Sequence, residues 1–415
     1  SATSATGIGG IVANKGGLVV SFRFGITTFC FVSSHLAAHA HKLKQRNQNC
    51  QEILSETESA RAIPDLDVSN QFDHIFWIGD LNYRTEMSAE IFQPLITSFG
   101  ELACQLTSLP VPHKGASKKE AHHINWKRVQ AAIATRNWTA LLKADQLRLS
   151  QSRGVGFVGF NEGDSLFAPT FKVERQANME YNKKRIPSYC DRVLWKSMPI
   201  GVGRVEQTML CSVPQVTTSD HKPVVAAFNI GQSLPVEVSL GKPCHVYFTH
   251  LSVQLQTTTR RRDRLYCKFF TNPPGLLGLK SSYSPGLKSS HLSPPIPKSR
   301  VTKEVSNGAF VWTHFNLPSL KIWARHLHDL DQVNLIIIVY DEEVGFDTKL
   351  GTAVVPLTGA AEDEIKEVQL IHKMALRGKL TYAMKISEVA RLSRRSLTYA
   401  NRHSSASSKK GCEIQ

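Results

Sequence analysis

The rhythm of apolar residues changes once along this chain, near Gly231, and that change limits the fold more than any other feature. Upstream, short β-branched and aromatic runs alternate with stretches of helical spacing. Residues 17–33 read as two strands with a turn at Gly25. Val19, Ser21 and Arg23 alternate with Val20, Phe22 and Phe24, and 27–33 is β-branched and aromatic. The polar stretch 36–59 carries Leu43, Ile53 and Leu54 at helical spacing, which predicts a surface helix. Residues 73–78 predict a short buried strand ending in Gly79. Helices are predicted over 88–106 and 126–149, and strand-like pieces near 157–160, 191–195 and 223–230. Such alternation predicts a layered α/β domain over 1–232. Downstream, 236–256, 264–270, 311–315, 333–340 and 380–386 read as strands with little helix between, which predicts an all-β sandwich over 236–390. Within it, 272–300 is rich in Pro, Ser and Gly and reads as a long basic insertion, and 391–415 reads as a disordered basic tail.

Composition narrows the function classes. With 41% hydrophobic residues over 415 positions, neither a disordered chain nor a small stapled scaffold is expected. The eight cysteines show no CxxC spacing, which reads as reduced thiols of a cytosolic protein. No apolar run approaches the ~20 residues of a membrane-spanning helix, and no signal peptide is expected. The net charge of +16 favours an anionic partner. Residues 260–303 hold ten Lys/Arg and one Asp, and 391–415 hold six Lys/Arg and one Glu. Each basic residue near an anionic leaflet contributes ~1 kcal/mol. The tail lacks the aromatic interleaving of a base-stacking surface, so membrane is favoured over nucleic acid.

Three motifs in the first part carry chemistry. Trp77-Ile78-Gly79-Asp80-Leu81-Asn82-Tyr83-Arg84 follows an apolar strand. A carboxylate and an amide two residues apart there can orient a water or hold a phosphoryl oxygen, although Gly-Asp before a loop is also an ordinary turn. Pro187-Ser188-Tyr189-Cys190-Asp191-Arg192-Val193-Leu194 and Ser219-Asp220-His221-Lys222-Pro223 each lead into a strand. Histidine suits proton transfer at neutral pH and needs a carboxylate to orient it. Neighbours on a strand face opposite ways, so Asp191 is the better partner for His221, leaving Asp220 for a metal. His35 and His39 have a zinc-like spacing, but the Glu of HExxH is absent.

These three motifs resemble the hallmark motifs of the inositol polyphosphate 5-phosphatases, and Ala13-Asn14-Lys15-Gly16-Gly17 and Ser34-His35-Leu36 resemble two further segments of that family. The resemblance covers about residues 7–232. It implies the DNase I-like fold, a four-layer α/β sandwich of two packed sheets, and Mg²⁺-dependent hydrolysis of a 5-phosphate. It implies that His221 and Asp191 form a catalytic pair, that Asp80 and Asn82 handle the attacking water and phosphoryl group, and that His35 lies beside the scissile phosphate. Asp220 matches a carboxylate near the metal. Arg84 belongs to the motif set of the phosphatase branch, and Lys172, Tyr181, Lys183 and Arg185 match contacts to a neighbouring 4-phosphate. The family's main Mg²⁺ ligand is a glutamate upstream of the Lys15 segment. No Glu precedes Glu52 here, so the resemblance implies an incomplete N-terminal part and leaves the activity of this stretch open.

The run from Val339 to Gly351 resembles the third loop of C2 domains, where acidic residues bind Ca²⁺. Asp341, Glu343 and Asp347 could supply oxygens, but the corresponding first loop, 259–264, is basic. Binding of acidic lipid without calcium is therefore the expectation. Together these readings predict a cytoplasmic, membrane-recruited phosphoinositide 5-phosphatase acting on phosphatidylinositol 3,4,5-trisphosphate or 4,5-bisphosphate. Soluble inositol phosphates are further candidate substrates, and nucleic acid is not expected. The alternatives are a catalytically inactive lipid-binding adaptor and a nuclease of the same superfamily.

Overall fold

Six strands build the first sheet. They are β1 (Ala2–Ala5), β2 (Gly16–Phe24), β3 (Thr27–His35), β4 (His74–Asp80), β5 (Asn161–Glu162) and β6 (Asp191–Ser197), in the order β1-β2-β3-β4-β6-β5. The computed structural model describes residues 1–6, 15–57, 60, 63–88, 91, 117–237, 243–256, 264–277, 296–306, 308–358 and 364–387. Most of the predicted helix 88–106, most of the insertion and the basic tail lie outside them.

β2 and β3 form the expected hairpin, with Gly25 at φ 61° where a side chain would be strained. β3 and β4 are parallel, joined through helix α1 (Leu43–Glu56). That helix buries Ile53 and Leu54 against Val19, Cys30, Val32 and Trp77 of the sheet. The opposite face carries Phe76 and Trp195. The ring of Phe228 meets them edge-on at centroid distances of 5.1 and 5.2 Å. Phe228 lies on β8 (Val224–Ile230), which pairs with β7 (Val205–Ser212) as a separate hairpin. The sheet is thus covered by helix on one side and strand on the other. Beyond the hairpin's reach Leu18, Val20, Phe22 and Phe24 of β2 stay exposed.

The single helix expected over 126–149 is three: α2 (Lys118–Ala134), α3 (Trp138–Lys143) and α4 (Gln146–Ser152). Asn137 accepts from the Ala140 amide and Asp145 from the Leu147 and Arg148 amides. Each polar side chain restarts a helix and prevents one continuous rod. The piece at 157–160 is a turn, with Phe157 and Gly159 at positive φ, and not a strand.

The second part is one antiparallel sheet of nine strands. They are β9 (Cys244–Leu255), β10 (Leu265–Asn272), β11 (Glu304–Ser306), β12 (Ala309–Trp312), β13 (Leu320–Ile322), β14 (Asn334–Asp341), β15 (Thr348–Pro356), β16 (Lys366–His372) and β17 (Ala375–Ser387). The order is β10-β14-β15-β16-β17-β9-β12-β11, with β13 also on β9. All eight residues of β14 are buried. Leu335, Ile337 and Val339 enter the core of the second part. Ile336, Ile338 and Tyr340 pack with Tyr266 against Leu66 and Met198 of the first part. A strand covered on both faces has no reason to alternate, which explains its continuous apolar run.

That junction is also hydrogen-bonded. Val158 N–H donates to the Met374 carbonyl at 3.0 Å and Leu376 N–H to that of Gly154 at 2.8 Å. Asn272 Nδ2 donates to Asp73 Oδ1 at 3.0 Å, and Lys268 pairs with Asp65 at 3.2 Å. No helix among the described residues is long and apolar enough to cross a membrane.

Candidate active site

Strand register assembles the site. Across β3, β4 and β6, His35 lies opposite Asp80 and Asp80 opposite Asp191. Three residues from motifs far apart in sequence therefore stand side by side at one end of the sheet. Gly79 makes this possible. It has φ 123°, and a Cβ there would lie 2.2 Å from the Ser34 carbonyl oxygen. The glycine of the first motif is thus dictated by backbone approach.

Asp80 is tied down from both sides. Its Oδ1 accepts from the Asn82 amide at 3.0 Å, and its Oδ2 accepts from Asn82 Nδ2 at 3.0 Å. Asn82 sits in the left-handed region at φ 56°, which folds its side chain back over the carboxylate. His35 Nε2 lies 3.1 Å from Asp80 Oδ2, and Lys15 Nζ contacts the same His35 nitrogen. Burial raises the Asp80 pKa, but the His35 hydrogen bond and the charges of His221, His35 and Lys15 prevail and hold it below the ordinary value. For Lys15 burial dominates, and its pKa is lowered.

His221 faces Asp191, with Nδ1 at 3.1 and 3.0 Å from the two carboxylate oxygens. Burial opposes the imidazolium. The Asp191 hydrogen bond and charge, with Asp80 and Asp220 behind, overcome it and raise the His221 pKa. Thr170, fully buried, donates its hydroxyl to Asp191 Oδ2 at 2.7 Å. The Phe171 ring lies 4.6 Å from the imidazole, and the guanidinium of Arg84 lies 4.3 Å from the same ring. Arg84 is buried and donates to the Asn82 carbonyl at 3.0 Å and to the Asn82 side-chain oxygen.

Asp80, Asp191 and His221 bring one donor atom each within 4.8 Å of one another, a group able to hold a metal ion. Asp220 stands apart from that group. Its Oδ2 accepts from Lys172 Nζ at 2.6 Å, and this bond, which outweighs the opposing effect of burial, lowers its pKa. Tyr181 donates to the Pro169 carbonyl at 2.7 Å, so its hydroxyl is engaged, while Lys183 and Arg185 are exposed. His39 stacks on His41 at 5.8 Å and does not join His35. In the second part, Asp347 accepts from the Tyr266 hydroxyl, and Glu342 pairs with Arg264 at 2.8 Å.

Thr170, Phe171 and Lys15 were not singled out for roles by sequence reasoning. Thr170 and Phe171 lie in the Pro-Thr-Phe-Lys run beside Lys172, so proximity to a recognised residue was the available signal.

A site of two strand-end carboxylates, a carboxylate-bound histidine and an adjoining amide agrees with the match of residues 1–109 and 119–227 to endonuclease/exonuclease/phosphatase family 2. The chain belongs to that family. Its curated relatives are phosphoinositide 5-phosphatases. It is 28% identical to phosphatidylinositol 3,4,5-trisphosphate 5-phosphatase 2A of Danio rerio over 302 residues, 69% of this chain and 20% of the relative. It is 33% identical to phosphatidylinositol 3,4,5-trisphosphate 5-phosphatase 1 of Rattus norvegicus over 236 residues, 54% of this chain and 17% of the relative. The chain thus spans about a fifth of the length of these relatives. Among solved structures it is similar to the inositol polyphosphate 5-phosphatase domain of a synaptojanin in complex with inositol (1,4)-bisphosphate and calcium, at 24% identity, TM-score 0.39 and 55% of each chain. The C2A domain of plant extended synaptotagmin 1 is matched at 20% identity and TM-score 0.21, over 36% of this chain and 95% of that one.

Proposed function

We propose that this chain hydrolyses the 5-phosphate of phosphoinositides, with phosphatidylinositol 3,4,5-trisphosphate or 4,5-bisphosphate as substrate. The observation that carries the reading is the register that lines up His35, Asp80 and Asp191 with His221 bonded to Asp191. The identity of the curated relatives supports the substrate class.

The carboxylates of Asp80 and Asp191 suit Mg²⁺, a hard cation that takes one or two carboxylates plus substrate phosphates and keeps several waters. The motif match adds Asp220 as a further candidate ligand. When bound, the ion neutralises phosphoryl charge. The chain's own residues supply the rest. Asp80, held ionised, accepts a proton from the attacking water while Asn82 fixes its carboxylate. His221, kept protonated by Asp191, donates a hydrogen bond to a phosphoryl oxygen; as the bond from phosphorus to the inositol 5-oxygen breaks, that oxygen leaves as the hydroxyl with a proton from solvent, and Asp80 returns its proton to solvent. Phosphoryl transfer is mostly positioning and charge stabilisation, which Arg84 and His35 supply around the reacting group while Lys172 meets the neighbouring 4-phosphate.

The second part would carry the chain to an anionic membrane. Val344 and Phe346 project from the loop between β14 and β15, and Phe346 is 74% exposed. The test is Mg²⁺-dependent phosphate release from short-chain phosphatidylinositol 3,4,5-trisphosphate, with the 3,4-bisphosphate as control. Release from the first alone is expected; release from both, or nicking of a plasmid without phosphate release, refutes the reading.

A further inference from the structure

The polar helix α1 turns part of its polar surface inward. Arg46 is fully buried, and Asn49, one turn along the same face, is buried with it. Neither belongs to a motif. A guanidinium taken out of water is costly unless a carboxylate meets it. Among the described residues, the hydrogen-bond partners of Arg46 are instead neutral oxygens. Nη1 donates to the carbonyls of Ala37 at 3.0 Å and His39 at 2.6 Å. Nη2 donates to the Ala40 carbonyl at 3.3 Å and to the side-chain oxygen of Gln146. Burial pulls the Arg46 pKa down to about 10, which leaves it charged at neutral pH. Asn49 Oδ1 accepts from the Ala37 amide at 3.2 Å.

Those carbonyls belong to the loop that leaves His35. Within it His39 lies at φ 75° and ψ 142°, a region that residues with a side chain rarely adopt. Such backbone persists where its surroundings over-determine it, and it gathers at working sites. Here the Arg46 fork grips the carbonyl of His39 and those of Ala37 and Ala40 around it. The same fork reaches the first motif. The Gln146 oxygen that accepts from Arg46 also accepts from the Arg84 amide at 3.1 Å, and Gln146 Nε2 returns to the Ala40 carbonyl at 3.1 Å. Between the two, the Leu36 amide donates to the Asp80 carbonyl at 3.0 Å, and the Leu36 carbonyl accepts from Asn82 Nδ2 at 3.1 Å. The guanidinium also lies 5.3 Å from the Tyr83 ring. One buried cation thus stands between the loop after His35 and the run that carries Asp80, Asn82 and Arg84.

We propose that Arg46 is a positioning residue for the reaction: with Gln146 it forms a buried strut that holds His35 and Arg84 at the spacing the phosphoryl group requires. The proposal deepens the phosphatase reading and rests on it for the identity of the reacting group. Arg46 touches neither substrate nor reacting atoms and acts through backbone carbonyls. The planar fork is what the task needs. One guanidinium spans three carbonyls of one loop and an amide oxygen from another segment, a set that a single ammonium cannot satisfy in one fixed geometry.

Two readouts test this, one of them free of turnover. In EDTA, the ring-nitrogen NMR shifts of His35 should move in Arg46→Met, while those of His328, exposed in the second part, stay in place. In phosphate release, Arg46→Met should lower kcat about 10²-fold, the cost of misplacing reacting groups from a distance, with KM within about threefold of the parent. Gln146→Met leaves the loop carbonyls on Arg46 and releases the Arg84 amide, so a loss of about tenfold in kcat is expected. The double variant should lose no more than Arg46→Met, because the two side chains act as a unit. Arg46→Lys keeps the charge without the fork and should recover little. Lys44→Met, exposed on the same helix, should change nothing. Unmoved His35 shifts with unchanged kcat in folded Arg46→Met, full recovery by Arg46→Lys, or additive losses in the double variant overturns the strut and leaves Arg46 a residue that only stabilises the fold. Circular dichroism verifies folding, and Gln146→Met keeps the test decisive if Arg46→Met unfolds. His35 shifts that move as expected in a chain that releases no phosphate refute the phosphatase reading alone; phosphate release with shifts and kcat untouched by Arg46→Met refutes the strut alone.

Discussion

Asp191 and Arg192 are neighbours on β6, yet they serve opposite faces of the sheet. Asp191 opens into the cleft, about a fifth exposed, and holds His221. Arg192 points inward, 1% exposed, where it bonds Asp145 at 2.9 Å and Glu162 at 2.5 Å. Burial lowers the Arg192 pKa, but the two carboxylates more than reverse this and the guanidinium stays charged. The difference teaches how to tell an ion pair that holds a fold from one that does chemistry. In the buried set every charge is enclosed by partners, and the loss of one strands the others. In the cleft the partners leave one edge free for a ligand.

The sharpest way to break this comparison is Arg192→Leu, which leaves Asp145 buried and unpaired. Stability should fall by about 3–5 kcal/mol, read from urea unfolding; a loss below about 1 kcal/mol would make the buried set dispensable. On the other face, His221→Gln should lower phosphate release by about 10²–10⁴-fold while the unfolding midpoint barely moves. A large midpoint shift there would mean that the cleft pair is structural too. Thr170→Val removes one hydrogen bond to a charged group, and a loss of about tenfold in kcat is expected, with Thr170→Ser restoring most of it. If Ser fails to rescue, the methyl packing of Thr170 matters more than its hydroxyl.

The smallest effect concerns Lys172 and Asp220. Lys172 holds the Asp220 carboxyl below its ordinary 3.8. A depressed carboxylate contributes stability present above the unfolded value and lost as pH falls through the lower folded value. Lys172→Met should therefore flatten the fall in stability below pH 3.8, measured by thermal unfolding across that range. It should raise KM for a headgroup with a 4-phosphate more than it lowers kcat.

The strand ends that gather at the candidate site were legible because each motif is contiguous and adjoins an apolar run. The expectation that Asp191 rather than Asp220 orients His221 rested on strand alternation, and in the structure Nδ1 of His221 does face Asp191. Less local features were not legible. The broken helix after Lys118 hid because Asn137 and Asp145 look like ordinary surface residues until their side chains are seen capping. Strands β15 and β16 escaped notice because Gly351 and the polar positions of 366–372 blur their alternation. The junction joins Asp73 to Asn272 across 199 residues, and no short-range pattern reports such a contact.

The bare row on β2 has a practical consequence at the bench. Leu18, Val20, Phe22 and Phe24 form a flat hydrocarbon strip, with Phe24 64% exposed, beside an edge strand of only four residues. Such a strip adheres to resin, to plastic and to other copies of itself. The chain should elute from a sizing column as a concentration-dependent mixture, and mild non-ionic detergent should return it to a single peak.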